Sequence, residues 1–352
     1  MTRTLALPLI ALLVATTIHA EARAPLPAVR GIYALDNKAG QFREKNVRDY
    51  PFVEGYAWRM KWNDIEKSKG VYDFSSVDSI VALLESKGLK LSVGFAFAPN
   101  YIAATTPNQD QVWSDADGVR KTAPWDPYCI DRYREFMTAL ANHKIGGKRF
   151  ADLPLLTHLH AGICGIRSVR DGNDELPMKI YNLPGYTRAK FVEAVRQSLA
   201  IAANQFPNKA ISVGFWAVQD NEGTPVLWQR IQQMIFNQFP GMSFFQENLA
   251  ASADLPPGSP KRNVTGRPTT DYAVPLVAAK GFAPVTFQAL QGWQQPFSDP
   301  SKTANGTPFD GMKYAHETFG TEYFEMYDPD LDHQEYWPEF ERWARILRSV
   351  RK

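Results

Sequence analysis

The sequence lacks the features that define several large classes of protein. Only two cysteines, Cys129 and Cys164, occur in 352 residues, too few for a scaffold held together by disulfides. A single disulfide and two buried thiols both fit this pair. Lysine and arginine total 39 against 37 acidic residues, for a net charge of +2. No basic run stands out, so we expect no nucleic-acid partner.

Motifs for bound cofactors are also missing. The chain contains no zinc-binding motif, phosphate-binding loop, dinucleotide fingerprint or Gly-x-Ser-x-Gly turn. His158 and His160 alternate along one predicted strand and therefore share a face, a spacing compatible with a metal. No third ligand with matching spacing follows them. We therefore expect no cofactor and no metal, and we expect His160 to contact a substrate hydroxyl.

Long apolar runs are absent except near the N-terminus. There Arg3, an apolar run over 5–17 and the small-x-small pattern Ala20-Glu21-Ala22 follow the order of an export signal. The run is too short to span a bilayer comfortably. We predict a signal peptide over 1–22 and an exported mature chain over 23–352, periplasmic or extracellular, with no membrane span.

What the chain does contain is a regular alternation of short apolar runs and amphipathic helices. Helical patterns lie between most of the runs, and in one of them Asp126 and Pro127 stand where an N-cap and a first helical residue belong. Eight runs have the composition of buried strands: 31–36, 52–62, 89–99, 155–165, 210–218, 242–250, 284–293 and 321–328.

This alternation predicts a parallel sheet with helical crossovers, and eight is the number of strands that closes a (β/α)8 TIM barrel. No linker divides the chain, so we predict one α/β barrel domain. The Pro- and Gly-rich segment 254–271 is interpreted as a long loop after the sixth strand, at the end of the barrel where sites are built.

The connection WNDIEKSKGVYDF, residues 62–74, carries the most specific pattern. A strand ends in Arg59 and Trp62, acidic residues follow, Gly70 permits a turn, and Phe74 begins the next helix. This order resembles the same region in retaining glycoside hydrolases of the large (β/α)8 clan, especially the family 42 β-galactosidase and family 5 cellulase types. Elsewhere the resemblance is one of strand order and motif placement, over roughly residues 30–345.

The resemblance implies an acid/base Glu at the end of strand four and a nucleophilic Glu at the end of strand seven. Glycoside cleavage needs an acid to protonate the leaving oxygen and a second carboxylate as nucleophile or base. Strand four has no such Glu, but the loop after it supplies Asp171, Asp174 and Glu175. Glu175 is our candidate acid, because its loop resembles the Gly-rich loop that carries the acid in some other barrel hydrolases. The alternative is an exposed loop carboxylate.

Strand seven departs further from the resembled pattern. Gln288 or Gln291 stands where the nucleophile is expected, and an amide is neither a nucleophile nor a base. The second carboxylate would then come from a neighbouring strand, as Glu247 at the end of strand six or Glu325 within strand eight. Otherwise the barrel binds a sugar without cleaving it.

Each neighbouring carboxylate has a structural alternative. An inward-facing Glu325 is either catalytic or held in an ion pair, for which Arg59 is the candidate partner. Glu247 follows Gln246, and only one of these two can face the barrel mouth. The other role for Glu247 is a solvent-facing strand end.

Candidates for substrate binding share a position near the C-terminal ends of strands, where aromatic side chains stack on sugar rings and polar ones bind hydroxyls. For each tryptophan the alternative is core packing. The set is Arg59, Trp62, His160, Trp216, Gln288, Trp293 and Tyr327. The sequence therefore predicts an exported glycoside hydrolase acting on a poly- or oligosaccharide. The alternatives are a non-catalytic carbohydrate-binding barrel and a metal-dependent hydrolase built on the His158 and His160 face.

Overall fold

The structure, a computed structural model, describes residues 24–35, 49–96, 98–114, 118–166, 180–215, 218–249, 273–289, 293 and 307–349. Four features predicted from the sequence lie outside these residues. They are the signal peptide over 1–22, the loop over 254–271, the carboxylates Asp171, Asp174 and Glu175 after strand four, and the side chains of Trp216 and Gln291.

Eight parallel strands close into a barrel, in which each strand pairs with its sequence neighbours and the last pairs with the first. All eight fall within the predicted apolar runs, so the predicted (β/α)8 barrel is confirmed. The strands are β1 (Gly31–Leu35), β2 (Gly55–Lys61), β3 (Lys90–Ala96), β4 (Leu156–Ala161), β5 (Ala210–Gly214), β6 (Ser243–Leu249), β7 (Val285–Ala289) and β8 (Tyr323–Tyr327).

Helices surround the barrel. They are α1 (Trp62–Ile65), α2 (Ser75–Ser86), α3 (Asn100–Thr105), α4 (Pro127–Asn142), α5 (Arg188–Gln205), α6 (Leu227–Gln238), α7 (Ala273–Ala279), α8 (Pro308–Phe319), α9 (Asp328–Leu331) and α10 (Trp337–Ser349). Short antiparallel hairpins pair Glu66–Ser68 with Val71–Tyr72, Val112–Ser114 with Arg120–Thr122, and Lys144–Ile145 with Lys148–Arg149. Among these described helices, none has both the length and the apolar character that crossing a membrane requires.

The helices follow the local signals in the sequence. The Asp126 side chain accepts a hydrogen bond from the Tyr128 N–H at 2.9 Å and caps α4, with Pro127 at its first position. A 3-10 turn over Gln334–Tyr336 precedes α10, and Asp332 accepts a hydrogen bond from the Tyr50 hydroxyl at 2.7 Å.

Cys129 and Cys164 form a disulfide, with their Cα atoms 6.1 Å apart. Of the two alternatives for this cysteine pair, the single disulfide is therefore the one found. Both residues are buried, and the bond ties α4 to the segment that follows β4.

The connection over 62–74 is organised around Glu66, whose side chain is fully buried. Glu66 accepts hydrogen bonds from the Trp62 indole N–H at 2.7 Å, the Gly70 N–H at 2.8 Å and the Tyr101 hydroxyl at 2.8 Å. It also forms an ion pair with Arg132 of α4. Gly70 has φ +74°, a conformation that favours glycine. This network fixes the end of β2, the strand that carries Arg59 into the barrel.

Candidate active site

The register of the barrel brings polar side chains from distant strands to one level. Arg59 on β2 lies opposite Gly94 on β3, and Gly94 lies opposite His160 on β4. On the paired strands β7 and β8, Gln288 lies beside Glu325. A Cβ at Gly94 would approach Arg59 Cδ to 3.1 Å and His160 Cδ2 to 3.3 Å. Glycine at this position therefore leaves the room in which Arg59 and His160 reach the barrel centre.

Glu325 is the centre of this cluster, and its side chain is 0% exposed. Its Oε1 accepts hydrogen bonds from Arg59 Nη1 at 3.2 Å, from His160 Nε2 at 2.6 Å and from the Tyr323 hydroxyl at 2.6 Å. Its Oε2 accepts a further bond from Arg59 Nη2. The inward orientation and the ion pair with Arg59, one of the two predicted possibilities, are both found. A buried carboxylate is stable here because every bond to it comes from a donor.

The charges in the cluster settle its protonation. Burial alone would raise the pKa of Glu325, but the Arg59 guanidinium and the His160 imidazole outweigh burial and hold that pKa well below its usual range. Burial would likewise lower the pKa of Arg59, and the Glu325 charge reverses this and raises it. The pair is therefore an ionised carboxylate and a guanidinium throughout the range of ordinary solution pH.

His160 is held as a neutral imidazole with one defined tautomer. Burial lowers its pKa, although the neighbouring Glu325 charge favours the cation. Nε2 carries the proton that it donates to Glu325, so Nδ1 accepts from the Ser212 hydroxyl at 2.5 Å. The ring of Phe245 packs against it, at 4.0 Å between centroids.

His158 belongs to a second, deeper layer. Its Nδ1 lies 2.9 Å from Ser92 Oγ, and Ser92 Oγ lies 2.8 Å from the Tyr323 hydroxyl. Burial lowers the pKa of His158 well below its usual value. The two histidines face each other edge to face at 4.4 Å, and the partner of His158 Nδ1 differs from those of the His160 nitrogens. Within the part of the chain that the structure describes, no three metal-ligating side chains cluster.

Gln288 is one of the two glutamines predicted to stand where the resemblance implied a nucleophile, and the other, Gln291, lies outside the described residues. Its carbonyl oxygen accepts a hydrogen bond from Arg59 Nη2 at 2.6 Å, and its Nε2 donates to the Tyr327 hydroxyl at 2.9 Å. Gln288 and Tyr327 are both almost fully buried. Gln288 thus orders Arg59 and Tyr327, two of the predicted binding residues.

Glu247 lies at the end of β6, and it is more exposed than the fully buried Gln246 before it. The Glu247 N–H donates to Gln246 Oε1 at 2.8 Å. The charge of Glu247 acts on Arg59, His160 and Tyr327, so its carboxylate lies near the same cluster. Glu247 therefore provides a second carboxylate near the cluster, and unlike Glu325 it is accessible to solvent.

The described tryptophans predicted to bind substrate lie on the edge of the barrel. Trp62 is 4% exposed, and its ring stacks on Phe136 at 4.9 Å between centroids. Trp293 is half-buried and packs against the core. Of the predicted residues, the structure brings together Arg59, His160, Gln288, Glu325 and Tyr327, with Glu247 beside them.

Three partners of this cluster were not predicted from the sequence: Tyr323, Ser92 and Ser212. A signal for Tyr323 was present, because it lies two residues before Glu325 on the same strand face. The serines face the histidines through strand register, Ser92 opposite His158 and Ser212 opposite His160. Such cross-strand pairs become visible only when the register is known.

No protein-family model matches the chain, and no curated protein matches it. Among solved structures, the fold is similar to that of the β-galactosidase from Bacillus circulans sp. alkalophilus, with a TM-score of 0.53 and 11% identity over 91% of this chain and 56% of that chain. It is also similar to that of the β-galactosidase from the psychrophilic Marinomonas ef1, with a TM-score of 0.55 and 12% identity over 92% of this chain and 60% of that chain.

These similarities concern the fold alone. They confirm the expected likeness to (β/α)8 glycoside hydrolases in architecture. The chain spans 56% and 60% of the lengths of the two β-galactosidases.

Proposed function

We propose that this chain is an exported glycoside hydrolase that cleaves O-glycosidic bonds of a poly- or oligosaccharide with two carboxylates. The observation that carries the proposal is the position of Glu247, a rim carboxylate beside a buried cluster of fixed charge. Two further observations support it. The fold is similar to that of two β-galactosidases, and the connection over 62–74 resembles that of barrel hydrolases.

The contacts of Glu325 favour Glu247 as the second carboxylate. Both oxygens of Glu325 accept hydrogen bonds, and its side chain has no exposed surface. A substrate atom would reach it only after Arg59, His160 or Tyr323 moved away. Glu325 is therefore assigned the role of a positioning residue, which orients Arg59 and His160. Glu247 is assigned the role of nucleophile or base.

In this mechanism Glu175 protonates the leaving oxygen, and Glu247 attacks the anomeric carbon or activates a water. The Arg59 guanidinium and the Nε2–H of His160 keep a fixed arrangement while charge develops in the transition state. The distance between the two carboxyl groups decides the stereochemistry, at about 5–5.5 Å for retention and about 6.5–9.5 Å for inversion.

The test is turnover on a panel of aryl glycosides and polysaccharides by the wild type and the variants Glu175→Gln, Glu247→Gln and Glu325→Gln. Loss of a carboxylate that transfers a proton or attacks the sugar lowers the rate by about a hundredfold or more. We expect this from Glu175→Gln and Glu247→Gln with unchanged thermal stability. Glu317→Gln, an exposed carboxylate on α8, is the matched control. Wild-type rates in Glu247→Gln would contradict the assignment.

A second candidate is a carbohydrate-binding barrel without hydrolysis. The observation that favours it is Gln288 on β7, whose amide groups are both used in holding Arg59 and Tyr327. This candidate predicts no turnover by the wild type on the whole panel, with polysaccharide binding retained in Glu247→Gln.

A further inference from the structure

A row of three contacts leads from Glu325 to His158 at the barrel centre. The Tyr323 hydroxyl lies 2.6 Å from Glu325 Oε1 and 2.8 Å from Ser92 Oγ, and Ser92 Oγ lies 2.9 Å from His158 Nδ1. All four residues are 0% exposed. Each distance is that of a hydrogen bond, so each contact needs one proton between its two atoms.

The protons available to this row can be counted. Glu325 is ionised and supplies none. Tyr323 and Ser92 supply one each, because burial raises the pKa of Tyr323 well above its usual value and keeps the phenol protonated. Burial lowers the pKa of His158 well below its usual value, so its neutral ring carries a single proton, on Nδ1 or on Nε2. Only a proton on Nδ1 brings the count to three.

The ionised carboxylate decides the direction of the three bonds. Tyr323 has one proton and donates it to Glu325, which is a charged acceptor and the shorter of its two contacts. The Tyr323 oxygen then accepts from the Ser92 hydroxyl, and Ser92 Oγ accepts from the Nδ1–H of His158. The second ring nitrogen agrees with this assignment. His158 Nε2 is buried without a hydrogen-bond partner among the described residues, so a proton there would lack an acceptor.

His160 carries its proton on the opposite nitrogen. Its Nε2–H donates to Glu325, and its Nδ1 accepts from the Ser212 hydroxyl. The two histidines share one face of β4, but the carboxylate imposes different tautomers on them. It holds the proton of His160 directly and that of His158 through Tyr323 and Ser92.

We propose that His158 and Ser92 are positioning residues for Glu325: the Nδ1–H of His158 orients the Ser92 hydroxyl, which in turn obliges Tyr323 to donate to the carboxylate. If the row ran in the other direction, lone pairs of the Tyr323 oxygen would face the charged Glu325 at 2.6 Å. Glu325 would then lose one of its donors. The inference goes beyond the proposed function, because it applies equally to a barrel that binds a sugar and to one that cleaves it.

The first test is the tautomer of each histidine in the ¹⁵N-labelled full chain, measured by long-range ¹H–¹⁵N NMR near neutral pH. The chain has six histidines, and the signals lost in His158→Asn identify His158. We expect a protonated Nδ1 and a bare Nε2 in His158, and the reverse in His160. A protonated Nε2 in His158, or a doubly protonated ring, would overturn the proposal.

Two serine variants form a matched pair for the same measurement. Ser92 and Ser212 are both 0% exposed, and each contacts the Nδ1 of one histidine. Ser92→Ala removes the acceptor of the His158 Nδ1–H, so we expect a mixture of the two His158 tautomers. Ser212→Ala removes only a donor, and Glu325 should keep the His160 proton on Nε2. An unchanged His158 tautomer in Ser92→Ala would contradict the inference.

A conservative pair at position 158 tests the effect on Glu325. The amide nitrogen of asparagine stands two bonds from Cβ, as Nδ1 of histidine does, whereas that of glutamine stands three bonds away, as Nε2 does. The readout is the downfield NMR signal of the Tyr323 hydroxyl proton in its short bond to the carboxylate, assigned by its loss in Tyr323→Phe. We expect His158→Asn to keep this signal and His158→Gln to lose or shift it.

The same response from the asparagine and glutamine variants would mean that the donor position is irrelevant, which sinks the proposal. The wild-type tautomers decide the question even if a variant does not fold. No readout requires turnover, so a protein that cleaves no glycoside can still show the two tautomers. Failure of the hydrolase proposal would therefore leave this inference standing.

Discussion

Among the residues that the structure describes, two glutamates are fully buried, Glu66 and Glu325, and they make an instructive pair. Each is 0% exposed, each forms an ion pair with an arginine, and each accepts a hydrogen bond from a tyrosine hydroxyl. Glu66 pairs with Arg132 in the connection after β2, and Glu325 pairs with Arg59 at the barrel centre. Pairing with arginine therefore does not by itself mark a functional carboxylate.

The difference lies in the remaining partners. Glu66 is completed by the Trp62 indole and the Gly70 backbone N–H, groups that do not titrate and that belong to its own loop. Glu325 is completed by His160, a titratable group from another strand, and Gln288 adds a contact to the same arginine. The Glu66 network therefore stabilises its own loop, whereas the Glu325 network contains groups that can respond to a ligand or a proton.

The largest effect is expected at the loop network. Arg132→Met leaves the Glu66 side chain buried without its cationic partner, which should lower the free energy of unfolding by about 3–5 kcal/mol. Urea titration followed by circular dichroism measures this loss. Turnover or sugar binding per folded molecule should stay near that of the wild type, because Arg132 lies on α4 outside the barrel. A loss below about 1 kcal/mol would mean that Glu66 is satisfied without Arg132.

Arg59→Met should cost less stability, about 2–3 kcal/mol, although Glu325 is equally buried. Both glutamates keep other hydrogen-bond donors in these variants, but only Glu325 has a neighbour, His160, that can take up a proton to replace the lost cation. Under the proposed function, the same variant should lose most of its turnover. Arg132→Met is thus expected to lose more stability and keep its function, whereas Arg59→Met is expected to lose less stability and most of its turnover. A larger stability loss in Arg59→Met than in Arg132→Met would reverse the comparison.

Acid should act on the barrel centre through Glu325. Its pKa is held well below the usual range when the chain is folded, whereas the unfolded chain takes up a proton near pH 4.3, roughly the ordinary glutamate pKa. Ionised Glu325 therefore stabilises the fold above that pH, and its contribution is lost as the pH falls below it. The stability difference between the wild type and Glu325→Gln should shrink on acidification with a slope of up to about 1.4 kcal/mol per pH unit. Urea titrations from pH 6 to about 3 test this. Parallel curves for the two proteins would contradict it.

The fold was predictable because its signals are local. Each strand is a short apolar run, each helix carries its own spacing, and Asp126 with Pro127 marks one helix start within two residues. The number of these apolar runs, eight, was then enough to predict a closed (β/α)8 barrel. Alternation along strand eight decides which side chains share a face with Glu325, but that this face points inward came only from the structure.

The contacts of the site were less accessible because they depend on residues far apart in sequence. His160 and Glu325 are separated by 165 positions, and the Gln288 contact to Arg59 by 229. The network of Glu66 was missed for the same reason, since Arg132 lies 66 positions away. The roles assigned to Glu175 and Trp216 remain predictions, because both residues lie outside the described part of the chain.

The smallest effects are expected from two glycines, one in each network. Gly70 has φ +74°, and a Cβ added there would meet no other atom within 4 Å. Gly70→Ala should therefore lower the free energy of unfolding by about 1–2 kcal/mol through backbone strain alone. At Gly94 no positive φ is required, and the added methyl would instead press on Arg59 and His160. Gly94→Ala should therefore lower the free energy of unfolding by about 1 kcal/mol and lower turnover or ligand affinity. Equal functional loss in both variants would show that the loop and the barrel centre act as one unit, because the strain at Gly70 would then be reaching Arg59 through β2.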